Sequence, residues 1–232
     1  MKNILIAGAS KGIGLRLAQL CAPDHTLYTL SRTISAELQA LDTTHFSMDV
    51  VNDPLDALQG LPDVLHGLVY CPGSITLKTV NRLSEEDFLN DFRQNVLGAV
   101  RLIQAVLPRL KRANGASVVL FSTVAVKTGM AFHSSIAAAK GGVEGLTRSL
   151  AAELAAQQIR VNAIAPSLTQ TPLAQGLLNT PEKIEASAKR HPLNRIGMPE
   201  DMAALAQFLL SDVSGWITGQ VVGVDGGLSS LR

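Results

Sequence analysis

Cysteine is almost missing from the 232 residues, with only Cys21 and Cys71, and histidine is scarce at five. Two cysteines inside apolar stretches cannot build a disulfide framework; they fit a reducing compartment, with both side chains in the core. His25, His45, His66, His133 and His191 are scattered without ligand spacing, and none joins a cysteine in a zinc pattern, so no metal is expected. Charge is thin as well. Charged residues make up 17% against 47% hydrophobic, and the net charge of +1 sets up no field that would draw in nucleic acid. No charge-free run approaches the length of a membrane span, and Ile4-Leu5-Ile6-Ala7 before Lys11 is too short for a secretory core. These absences predict a soluble, cytoplasmic protein with neither nucleic acid nor membrane as partner.

What is present is an alternation. Apolar runs of strand length are predicted at Asn3 to Ala7, His25 to Ser31, Thr44 to Met48, Gly67 to Cys71, Ser117 to Ser122, Arg160 to Ala165 and Gln220 to Val224. Helical periodicity fills Ile13 to Cys21, Ser84 to Arg112, Ser134 to Gln158 and Pro199 to Ser211, with Ser84 and Asp87, and Pro199 before Glu200 and Asp201, as helix starts. Strands alternating with helices specify a parallel sheet covered on both faces: a single doubly wound α/β Rossmann domain over residues 1–232 with seven strands. No repeat, low-complexity tract or linker divides it. The irregular stretch from Ser167 to Pro199 follows a strand's carboxyl end, where open α/β sheets bind ligands, and is expected to be a substrate loop containing a short helix.

At the first strand-to-helix junction stands Gly8-Ala9-Ser10-Lys11-Gly12-Ile13-Gly14. Glycines permit the tight turn and a close approach of backbone to a pyrophosphate, whose charge then rests on the free N–H groups of the helix. The spacing is GxxxGxG, and a plain glycine turn is the alternative, but its place in the first βα unit favours a dinucleotide. After the second strand an acidic residue would take the ribose hydroxyl of NAD(H). Ser31 and Arg32 stand there instead, with Lys11 as a second cation, so NADP(H) is preferred and NAD(H) is the alternative. Asp49, ending the third strand, is placed to accept from the adenine amino group.

The glycine loop, Asp49-Val50, the stretch around Gly73, Asn95-Val96-Leu97-Gly98 and Arg160 through Pro166 together resemble the short-chain dehydrogenase/reductase family of the classical type. So do Arg195 through Asp201 and Ile217 through Gly227. Over essentially the whole length the chain is similar to the 3-oxoacyl carrier-protein reductases. The resemblance implies a cofactor set of Gly8, Ser10, Lys11, Gly12, Ile13, Gly14, Ser31, Arg32, Asp49, Val50, Cys71, Gly73, Asn95, Lys140, Pro166, Thr169 and Thr171, the last against the nicotinamide carboxamide. It also implies a catalytic Asn, Ser, Tyr and Lys. Asn95 and Lys140 match, and Thr123 takes the serine position with Ser122 beside it. The tyrosine position, four before Lys140, holds Ile136, which can neither give nor take a proton. Tyr70-Cys71-Pro72-Gly73 replaces Asn-Asn-Ala-Gly, and Pro166-Ser167 replaces Pro-Gly.

Two functions follow from that departure. One is an NADP(H)-dependent oxidoreductase acting on a small carbonyl, enone or imine-type substrate without tyrosine, with His133, one turn before Ile136, or Thr123 or Lys140 supplying the proton. The other is a weak or inactive NADP(H)-binding sensor or scaffold. For His133 the alternative is an exposed residue at a helix start. Ala137, Ala138, Ala139, Gly141, Gly142 and Gly145 either pack on their own sheet or let another helix approach, and the resemblance implies a homotetramer or homodimer.

Overall fold

In β1 (Lys2–Ala7), Ile4 and Ile6 join one core and Leu5 and Ala7 the other, all four fully buried, as the two-residue period of an extended chain requires. The computed structural model describes Met1–Leu231. After β1 come β2 (His25–Ser31), β3 (Thr43–Ser47), β4 (Gly67–Tyr70), β5 (Ala116–Phe121), β6 (Ile159–Pro166) and β7 (Val221–Val224). Each lies within one residue of its predicted bounds. They form one seven-stranded parallel sheet in the order β3-β2-β1-β4-β5-β6-β7.

The helices are α1 (Gly12–Cys21), α2 (Ala36–Gln39), α3 (Glu85–Phe92), α4 (Gly98–Arg112), α5 (Ala125–Thr128), α6 (Ser134–Leu154), α7 (Pro181–Ala188) and α8 (Pro199–Leu210). Leu17 of α1 and Met202, Ala206 and Leu209 of α8 cover the Ile4 face. On the Leu5 face the cover is Leu102 and Val106 of α4 with Val143 and Leu154 of α6. Each such leucine contributes about 1.5–3 kcal/mol on burial. Because the chain leaves β1 for β2 on one side and returns to β4 on the other, a crevice opens at the carboxyl ends of β1 and β4, where such sheets hold ligands.

The predicted helix from Ser84 to Arg112 is interrupted. Its start is as expected, with Asp87 N–H donating to Ser84 Oγ at 3.2 Å and Ser84 N–H to the Asp87 carboxylate at 2.9 Å. At Arg93–Leu97, however, the helix widens into one π turn, and Gly98 N–H donates to the Arg93 carbonyl, five residues back. The skipped Gln94 carbonyl accepts the buried Tyr70 hydroxyl at 2.7 Å, and a Cβ on residue 98 would collide with that hydroxyl. Such single π turns mark functional positions, and this one carries Asn95. The predicted helix from Ser134 to Gln158 also ends early, at Leu154, before a 3-10 turn and a left-handed Gln158 (φ 57°).

The Ser167 to Pro199 stretch is ordered by a 3-10 turn at Pro172–Leu177, by α7, and by a bridge between Thr169 and Gly197. No helix among the described residues is long and apolar enough to cross a membrane, and no three of their His, Cys, Asp and Glu side chains group to hold a metal ion. Tyr70→Phe strips the π turn of its outside donor. Urea unfolding should show a loss of about 1 kcal/mol with an unchanged slope.

Candidate active site and cofactor groove

The glycine loop is built so that backbone comes close to backbone at the crevice. Gly8 has φ 78°, and a Cβ there would lie 2.9 Å from the Pro72 nitrogen; at Gly14 a Cβ would strike the Gly8 carbonyl. Gly12, at φ 58°, sits 3.4 Å from the Thr171 methyl by the same construction, so the turn and Thr171 share one wall. The first turn of α1 has no side-chain cap and no acidic residue. Its N–H groups and positive end are therefore left to an anion, and the cradle fits a pyrophosphate.

Beside this turn a groove of about 470 Å³ runs between Ser10, Lys11 and Gly12 on one side and Thr33, Ile34 and Ser35 on the other. Ser31 is buried and donates to the Thr33 carbonyl at 2.7 Å, so toward a ligand it offers lone pairs. Lys11 and Arg32 are exposed and in no ion pair among the described residues. Asp49 accepts from Val51 N–H at 2.9 Å and from the Asn52 amide at 3.1 Å; partial burial raises its pKa, and these bonds outweigh that and hold the carboxyl below its ordinary range. Val50 is buried.

Arg101, which the sequence did not single out, fixes this segment. Its guanidinium donates to the carbonyls of Val50 (2.9 Å), Val51 and Asp53 (3.0 Å) from α4. The signal was a cation on an otherwise apolar helical stretch, Val100-Arg101-Leu102.

The reacting end gathers at Gly73. A Cβ there would lie 3.0 Å from Asn95 Oδ1 and 3.7 Å from Lys140 Nζ, so Gly73, Asn95 and Lys140 border one space. Cys71 enters through its backbone, whose N–H extends the β4 ladder to the Ala7 carbonyl at 3.0 Å. Lys140 Nζ donates to the Phe121 carbonyl at the end of β5 at 2.7 Å. Burial pushes its ammonium down to about 8, opposed by Cys71 and Asp91. Burial likewise pushes the Cys71 thiol up to about 12, so at neutral pH it is uncharged. Asn95 Nδ2 donates to the Asp91 carbonyl at 2.8 Å and to Ser74 Oγ at 3.0 Å, while its Oδ1 is buried with no partner.

Ile136, 3% exposed, lies one turn before Lys140 on the same face of α6. Of the two hydroxyls that follow β5, Ser122 is buried and donates to Glu144 at 2.8 Å. Thr123 stays half-exposed, with a 3.5 Å contact to the Pro166 carbonyl. The His133 ring, beside the start of α6, bonds the Ala131 carbonyl at 2.7 Å, which commits Nδ1 as a donor. Thr169 is buried and ties back to the Ser167 carbonyl at 3.0 Å.

Also unforeseen is a buried carboxylate, Asp91. It is fully enclosed and accepts from Ser74 Oγ (2.6 Å), Thr76 Oγ1 (3.2 Å) and Ser135 Oγ (2.7 Å). In the sequence it follows Glu85, Glu86 and Asp87 and reads as part of a solvated charge run; its position one turn before Asn95 was the available signal.

A second cavity, of about 350 Å³, lies at the opposite, amino end of the strands beside Lys2, His66 and Trp216. Its cations are already used, Lys2 on Asp212 and Arg160 on the carbonyls of Leu209 and Ser211.

The Lys140 site makes a stability prediction. The folded state releases this proton near 8 and the unfolded chain near the ordinary 10.5, so between them the unfolded state binds more protons and stability rises with pH. Relative to Lys140→Met, the wild type should be penalised most below pH 8 and recover toward pH 10.5, as denaturant titrations at several pH values would show.

Comparison with known proteins agrees with this geometry. A family model described as Enoyl-(Acyl carrier protein) reductase matches residues 8–229. The chain is 33% identical over 242 residues to the 3-oxoacyl-[acyl-carrier-protein] reductase FabG of Thermotoga maritima, spanning 98% of this chain and 97% of that one. It is 34% identical over 239 residues to carbonyl reductase family member 4 of Danio rerio, at 98% of both. A solved short chain dehydrogenase family protein from Francisella tularensis superposes with a TM-score of 0.90 at 28% identity, over 99% of each chain. A tyrosine-to-phenylalanine variant of ElxO with NADPH bound does so at 0.87 and 26%, again over 99% of each. With its glycine cradle, switch-point crevice and buried lysine, the chain belongs to the short-chain dehydrogenase/reductase family and is an NAD(P)-dependent oxidoreductase of that type.

Proposed function

We propose that this oxidoreductase uses NADP(H) on a small carbonyl, enone or imine-type substrate and works without a tyrosine acid. The observation that carries the reading is the pairing of a buried Ile136 with a Gly73, Asn95 and Lys140 cluster that is otherwise kept together. The nicotinamide, when bound, would supply or accept the hydride. Thr171, beside Gly12, would hold the carboxamide end, Thr123 would orient the substrate oxygen, and Lys140 would serve the nicotinamide ribose and the reacting oxygen. Exposed Leu173, Leu177 and Met198 around the Ser167 to Pro199 stretch support an apolar substrate body.

The preference for NADP(H) rests on Lys11 in the groove wall, on the exposed Arg32 directly after β2 and on the missing acid at the end of β2; that the related ElxO variant holds NADPH is in keeping with it. Arg32→Ala should weaken NADPH binding at least about tenfold, the worth of one charge-assisted hydrogen bond, and leave NADH unchanged, as fluorescence titration would record. Equal losses for both cofactors would count against the 2′-phosphate role.

The second reading, a cofactor-binding sensor or scaffold, is favoured by the same Ile136, since a missing general acid costs about 10²–10⁴-fold. A panel of ketones, enones and imines with NADPH separates the two. We expect slow turnover of at least one activated substrate, and Ile136→Tyr should raise carbonyl reduction by about 10²-fold or more. No oxidation by either protein on any panel member would leave the binding reading.

The helix-lining residues bear on assembly. Gly142 packs against Val96 and Phe92 of its own chain, whereas Ala138 and Gly145 face open space on α6. We take these two as part of a homotetramer or homodimer contact, and light scattering should return a multiple of the 24.5 kDa chain.

A further inference from the structure

A fully enclosed carboxylate costs folding free energy unless something in the fold compensates its charge. Asp91 has no ion-pair partner within 4 Å among the described residues. Its three hydroxyl partners come from two directions, Ser74 and Thr76 from the loop after β4 and Ser135 from the first turn of α6. The contacts at 2.6 and 2.7 Å have the length of hydroxyls donating to an ionised carboxylate. Ser74 also accepts from Asn95 Nδ2, so its own proton is directed at Asp91, and the amide is oriented because the Asp91 main-chain carbonyl takes its other hydrogen.

That orientation sends the unpartnered Asn95 Oδ1 into the space at Gly73 that Lys140 Nζ also borders. The hydrogen-bonded chain thus runs from Asp91 through Ser74 to Asn95 and ends at the space by Gly73 that Lys140 Nζ borders from the other side. Around Lys140 the other groups are accounted for. Phe121 offers a neutral carbonyl from β5, Cys71 after β4 is a neutral thiol, and Glu144, one turn on, is taken by Ser122 and Arg148. The remaining charge that favours the ammonium is Asp91, whose field opposes the effect of burial.

We propose that Asp91 is the positioning residue of Lys140, a buried counter-charge that keeps the ammonium protonated and available to the reacting oxygen where Ile136 leaves no phenol. It gains its catalytic meaning from the tyrosine-free reading above, but its test does not need turnover. Lysine labelled with ¹³C at Cε, with the Lys140 signal assigned by Lys140→Arg, gives the Lys140 titration by NMR. In Asp91→Asn, a near-isosteric change, the midpoint should fall by about one pH unit, a tenfold loss of proton affinity at that site. Asp91→Glu should restore part of it. An unchanged midpoint in folded Asp91→Asn overturns the proposal. Should that variant not fold, the Asp91 carboxyl carbon in the wild type decides: an ionised signal at pH 7 supports the assignment and a protonated one overturns it. On any panel substrate that turns over, the high-pH fall in kcat should move down by the same amount in Asp91→Asn. A protein inactive on the whole panel but with the shifted titration would refute the reductase reading and leave Asp91 in its role.

Discussion

An ammonium carried into a protein interior must recover the hydration it gives up, and Lys140 does so with one carbonyl at 2.7 Å and a field of distant partners. That demand organises the surrounding residues. It requires β5 to end with a free carbonyl at Phe121, the loop after β4 to pass close by as glycine at position 73, and the helix opposite to bring polar groups inward. The π turn meets the last requirement. By adding a residue to one turn it brings Asn95 inward and releases the Gln94 carbonyl, which Tyr70 then caps from β4.

The cofactor side rests on a separate economy. Nothing in the first turn of α1 caps its N–H groups, which would be a defect in an ordinary helix and is an asset beside a phosphate. Gly8 and Gly14 allow backbone to meet backbone there, while Arg101 immobilises the loop below the third strand through three carbonyls. The two halves of the site are thus held by different elements, so a change in the proton-handling half need not disturb the binding half.

Ile136 is a buried side chain with no donor, and it leaves a gap in hydrogen bonding beside buried polar groups that must all find partners. The chain has polar residues around that gap: Ser135 immediately before Ile136, Ser74 after Gly73, and Asp91 one turn before Asn95. They satisfy one another, and the single acceptor left over is Asn95 Oδ1, at Gly73. The surroundings of the buried Ile136 are therefore polar and charged.

The sheet, its seven strands and the glycine turn were all determined by the sequence itself, because periodicity and glycine placement are local. The break in the Ser84 to Arg112 helix was not, since hydrophobic period continues through a π turn, and only the Tyr70 hydroxyl approaching from β4 makes the extra residue favourable. Nor could sequence tell which of Ser122 and Thr123 would be tied up: both follow the last residue of β5, and which one met Glu144 depended on where α6 lay. Asp91 shows the same limit most plainly. In sequence it is one more acid in a run, and only packing α3 against α6 and the β4 loop strips its water and makes its charge matter to Lys140, because the strength of a charge is set by the dielectric around it and not by its neighbours along the chain.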